Sequence, residues 1–81
     1  MVDYLEDIKK IISGQFGIEE EDIEEDSLLE TDLAITDLDM EDLIASLEEK
    51  YEIQIPQAEN QRFEKVSDIV SYLYDNVENR P

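Results

Sequence analysis

Three stretches of this chain repeat apolar residues at steps of three and four, and that spacing decides the fold class. Tyr4, Leu5, Ile8, Ile11, Ile12 and Phe16 form the first; Met40, Leu43, Ile44, Leu47 and Tyr51 the second; Val66, Ile69, Val70, Leu73 and Val77 the third. Such steps collect side chains on one face of a helix, whereas a half-buried strand needs strict alternation. Each apolar stripe must be covered by another, so the expected architecture is an all-α bundle.

Local chemistry sets the expected boundaries. Asp3 can cap the first helix and Gly17, after Phe16, can end it in the left-handed conformation. Gly14 within that helix weakens it by up to about 1 kcal/mol relative to Ala. Thr36 stands before the second helix in a Thr-x-x-acid arrangement with Asp39, the sequence form of a capping box. Pro56 disfavours helix at the residue before it, so "EIQIP" is expected to close that helix. Gln57 to Phe63 has room for a short helix of one or two turns, and "ENRP" reads as a frayed end. The expected domain is a single unit over residues 1–81 with three longer helices, one short helix and a long first loop.

That loop, "EEEDIEEDSLLETDLAIT", carries acidic runs around isolated Ile23, Leu28, Leu29, Leu33 and Ile35. Loops beyond about 12–15 residues are uncommon in compact domains and are often functional. Here the apolar residues are expected to pin it to the core.

The chain has 24 Asp+Glu against six Lys+Arg, a net charge of −18. High net charge is one mark of disorder, but the helical periodicity argues for a fold. The charge repels nucleic-acid phosphates and anionic membranes and attracts basic protein surfaces over a range set by salt. The expected partner is therefore a protein with a Lys/Arg patch, met by a monomer, with no nucleic acid and no membrane. No basic segment followed by an apolar run opens the chain, and no 18-residue apolar segment occurs, so the expected location is cytoplasmic.

The chain contains neither Cys nor His. Disulfides, thiolate nucleophiles and zinc-thiolate sites are excluded, and the usual general base at neutral pH is missing. There is no Gly-rich phosphate loop and no nucleophile beside a plausible base, so the chain is not expected to be an enzyme. Tyr4, Tyr72 and Tyr74 read as core or rim aromatics. The run "EEEDIEED" reads as solvated surface rather than a cation site. Asp37, Asp39, Glu41 and Glu48 fall at positions 1, 3, 5 and 12 of an EF-hand loop, but that motif requires Gly at the sixth position. Asp42 stands there, and Leu43 and Leu47 continue a helical face through it. No metal is expected.

"DLDMEDLIASLEEKYEIQIP" resembles the second helix of an acyl carrier protein. In that family an Asp-Ser-Leu tripeptide opens the helix, which ends Leu-Glu-Glu-x-aromatic and is followed by Ile-Pro. Leu38, Leu47-Glu48-Glu49, Tyr51, Ile55 and Pro56 fit in register. "IKKIISGQFGI" resembles the family's first helix and "FEKVSDIVSYL" its last, so the likeness spans nearly the whole chain. The implied fold is the family's small four-helix bundle.

In the family the Ser of that tripeptide carries 4′-phosphopantetheine through a phosphodiester, and the thiol of that arm holds the acyl group. By the register, this Ser falls on Asp37 and the Asp before it on Thr36. An aspartate has no hydroxyl to esterify, so the resemblance implies no pantetheine cofactor on this chain at that position. Asp26-Ser27-Leu28 also reads Asp-Ser-Leu, but ten residues beyond Ser27 stands Asp37 instead of the Leu of the Leu-Glu pair. Asp39, Glu41, Asp42, Glu48 and Glu49 are the expected partner-binding residues, facing basic patches of acyl-transfer or acyl-modifying enzymes. Glu41 replaces what is usually an apolar residue in the family. Both a divergent non-carrying relative and an ordinary carrier with a Ser-to-Asp change at position 37 fit the chain. An acidic decoy for nucleic-acid-binding proteins is a reading of another class, resting on composition alone.

Overall fold

The computed structural model describes residues 3–78; the last three residues of "ENRP" lie outside them. Helix α1 spans Tyr4–Phe16, α2 Asp37–Tyr51, α3 Gln57–Asn60 and α4 Val66–Leu73, the last running on into a widened turn over Tyr74–Glu78. This is the expected bundle of three longer helices and one short one. The stripes meet as their spacing requires: Ile8 and Ile12 of α1, Leu43 and Leu47 of α2, and Val66, Ile69 and Leu73 of α4 are fully buried together. Burying each such side chain contributes about 1.5–3 kcal/mol.

The helix ends follow the expected chemistry at three of four places. The Asp3 carboxylate accepts from the Glu6 N–H at 3.2 Å, and Gly17 closes α1 at φ 72° with its N–H on the Ser13 carbonyl. Thr36 Oγ1 accepts from the Asp39 N–H while Asp39 Oδ2 accepts from the Thr36 N–H, each at 3.2 Å, completing the capping box of α2. The fourth end differs. Helix α2 stops at Tyr51, well short of Pro56, because Glu52 takes the left-handed conformation at φ 55° and returns its N–H to the Glu48 carbonyl. Pro56 instead precedes α3, where its fixed φ and missing N–H suit a helix start. Helix α3 is also shorter than the stretch to Phe63.

The long first loop is pinned as expected, with Ile23, Leu29, Leu33 and Ile35 buried. It also contains a single 3₁₀ turn over Glu20–Asp22, which its charge-dense sequence conceals. The loop is tied to the start of α4 by backbone hydrogen bonds: Leu29 N–H to the Glu64 carbonyl at 2.9 Å, Val66 N–H to Ser27 at 3.1 Å, and Ser67 N–H to Glu25 at 3.0 Å. Leu28 and Lys65 form an isolated antiparallel bridge at the same place.

Helices α1 and α2 share a polar clasp at their far end. The Tyr51 hydroxyl donates to Asp7 Oδ2 at 2.7 Å, and its ring meets that of Tyr4 edge-on with centroids 5.7 Å apart. Burial first, then the Asp7 carboxylate, raise the Tyr51 pKa above its ordinary 10. The unfolded chain therefore releases this proton at a lower pH than the folded one. The resulting stabilisation is complete below about pH 10 and is lost as pH rises through the folded value. Tyr51→Phe is expected to cost about 1 kcal/mol at pH 7 through the lost hydrogen bond and to flatten the alkaline decline. Urea midpoints from pH 7 to 11 check this; parallel declines for the two proteins would contradict it.

Candidate functional site

Asp37 is the first residue of α2 and so stands at a helix start. Its side chain is exposed and has no hydrogen bond or ion pair among the described residues. Capping is done by Thr36 and Asp39. A carboxylate here lies at the positive end of the helix dipole, which favours it by about 0.3–1 kcal/mol.

The residue that delivers the chain into this cap is Ala34, in the left-handed region at φ 56°. That conformation costs an L-residue about 1–2 kcal/mol, and Ile35 just after it is 2% exposed. Ala34→Gly is expected to raise stability by about 0.5–1 kcal/mol, relief of the strain exceeding the extra entropy of the unfolded chain. A denaturant midpoint at or below that of the native chain would refute this.

The acidic residues of α2 divide by direction. Helical spacing puts Leu38, Asp42, Ala45 and Glu49 along the ridge opposite the core, and Leu38 is 72% exposed, the most exposed large apolar residue described. Glu41 is exposed beside that ridge. Asp39 and Glu48 are half-buried and already hold backbone: Asp39 in the cap, and Glu48 through Oε2, which accepts from the Ile55 N–H at 2.8 Å. That last bond fixes the turn after α2.

Asp37 and Glu41 also line a groove of about 660 Å³ between the start of α2, the first loop and α3. Leu29, Ile35, Met40 and Phe63 give it apolar surface, and Glu30 and Glu64 add two carboxylates. Sequence reasoning missed Glu30 and Glu64. They are remote in the chain and belong to no periodic face; only the pairing of the loop with the start of α4 brings them together.

Ser27, in the second Asp-Ser-Leu, is 9% exposed, and its Oγ accepts from the Glu24 N–H at 2.9 Å. It lies in the loop and opens no helix of its own; its carbonyl accepts from the Val66 N–H at the start of α4. Among the described residues no group of three or more acidic side chains is arranged to hold a metal ion. No helix among them is long and apolar enough to cross a membrane.

Comparison with known proteins agrees with this architecture. Residues 6–73 match the family model described as the phosphopantetheine attachment site. The acyl carrier protein of Campylobacter lari (strain RM2100 / D67 / ATCC BAA-1060) is 31% identical over 68 residues, covering 84% of this chain and 88% of that protein. Members of this family are carriers of a 4′-phosphopantetheine group, not catalysts, and interact with acyl-handling enzymes. On the match across most of its length and on its helical bundle, the chain belongs to the acyl carrier protein family.

Proposed function

We propose that this chain is a docking member of its family that carries no pantetheine arm. It presents the acidic face of α2 to basic surfaces of acyl-transfer or acyl-modifying enzymes, as a monomer in the cytoplasm. The observation that carries this reading is the side chain at the first position of α2: Asp37 is exposed where a transferase would reach, and it has no hydroxyl.

The neighbouring hydroxyls do not fit an esterified arm either. Thr36 Oγ1 is committed to the helix cap and Ser27 is buried in the loop. What Asp37 offers instead is a negative charge where the family's phosphodiester would carry one. The chain thus imitates the charge of a loaded carrier without its arm. The ridge of Asp42 and Glu49, with Glu41 beside it and the free lone pairs of Asp39 and Glu48, supplies the attraction; Leu38 adds one apolar contact. Screening makes that attraction fall with salt.

Intact mass after incubation with a phosphopantetheinyl transferase and coenzyme A tests the reading. The native chain is expected to keep its mass while binding the transferase, and Asp42→Lys with Glu49→Lys to weaken that binding at least tenfold. A gain of the pantetheine mass, on Thr36, Ser27 or elsewhere, would overturn the proposal. Equal binding by unmodified Asp37→Ser would remove charge imitation while leaving the docking ridge.

A further inference from the structure

The groove beside Asp37 has a composition that specifies its occupant. Its floor is apolar, with Leu29, Ile35 and Met40 buried and Phe63 half-buried. Its rim carries four exposed carboxylates, Glu30, Asp37, Glu41 and Glu64, and no Lys or Arg lines it among the described residues. None of the four carboxylates makes an ion pair among the described residues; the two ion pairs there are Lys9–Glu6 and Arg62–Glu59, each within a single turn and outside the groove.

A divalent cation does not suit this arrangement. A metal needs oxygens converging within coordination distance, and these are not so arranged. Fatty acids, nucleotides and other anions meet a rim of their own sign. An elongated cation with an apolar stem satisfies both parts: the methylenes of Arg or Lys lie along apolar surface while the head reaches carboxylates. The volume of about 660 Å³ is within the range of sites for small ligands, and it exceeds the needs of one such side chain.

We infer that the groove receives a short segment of the partner protein in which Arg or Lys alternates with an aliphatic or aromatic residue. This rests on the docking role proposed above and names what docks. The insertion runs from partner into this chain, with Asp37 as one pole of the receiving site rather than the base of a projecting arm. Of the three departures from the family pattern, Thr36, Asp37 and Glu41, the last two lie on the rim. Relative to a phosphodiester-bearing helix start with an apolar neighbour, Asp37 keeps one negative charge at the rim and Glu41 adds another.

The test is titration of the full ¹⁵N-labelled chain with the peptide acetyl-Leu-Arg-Phe-Lys-amide at low salt. Amide shifts are expected to concentrate at Leu29, Thr31, Ile35 and Gln61. Replacing both Glu30→Gln and Glu64→Gln is expected to weaken binding about tenfold, since two partly exposed ion pairs are removed. Asp42→Asn with Glu49→Gln, which changes net charge equally on the outer ridge, should weaken it less than about threefold. Equal losses in the two double variants, or shifts confined to the outer ridge, would overturn the inference. So would equal binding of a peptide with norleucine for both cations, or of octanoate. None of these results bears on whether the chain accepts pantetheine, which intact mass reads separately.

Discussion

Asp37→Ser is expected to turn a chain that a phosphopantetheinyl transferase leaves untouched into one that it modifies on nearly every molecule. The physical basis is that the fold does not use this side chain. The cap of α2 is closed by Thr36 and Asp39 at 3.2 Å in both directions, and the Asp37 side chain makes no hydrogen bond among the described residues. The substitution therefore forfeits only the dipole interaction, about 0.3–1 kcal/mol, and leaves an exposed hydroxyl at the start of an acidic helix. Intact mass reads the gain, fragment masses place it at position 37, and circular dichroism confirms that both chains are folded. A folded Ser variant that stayed unmodified would show that something other than the missing hydroxyl stops transfer.

Leu47→Ala is expected to cost about 2–5 kcal/mol, the lost transfer energy plus the cavity it leaves. Leu47 lies in the middle of α2 with none of its surface exposed. Domains typically hold about 0.05–0.15 kcal/mol per residue, so 81 residues leave little reserve. A net charge of −18 reduces that reserve further at low ionic strength through self-repulsion. The variant should accordingly be substantially unfolded in dilute buffer and recover helicity as salt is added. The same truncation at Leu38, 72% exposed on the same helix, should change stability by no more than about 0.5 kcal/mol. Thermal melts of the two variants across a salt series decide it; similar melting temperatures would contradict the assignment of the core.

The helical stripes were legible because a period of three and four tolerates no strand, and the buried set in α1, α2 and α4 is drawn from those residues. Gly17 and the Thr36–Asp39 box were legible because each end uses a residue type whose backbone or side chain suits it. The end of α2 was not. Pro56 is a conspicuous breaker, but Glu52 in a left-handed turn, with Glu48 holding the Ile55 N–H, stops the helix earlier. A carboxylate that folds back onto backbone looks in sequence like any solvated glutamate.

The candidate site divides in the same way. Position 37 is reached by counting back from Leu47-Glu48-Glu49 along the family resemblance, and in the structure it opens α2. The groove is not reached in this way, since Glu30 and Glu64 meet only through the hydrogen bonds that join the loop to the segment before α4. Non-local pairing of this kind leaves no periodic trace.

The division of labour at the start of α2 has a corollary. Because the structural duty falls on Thr36 and Asp39, the side chain at position 37 can change at a cost no larger than its dipole interaction, about 0.3–1 kcal/mol. A single side chain at the start of α2 can therefore be exchanged while the cap that holds the helix stays closed.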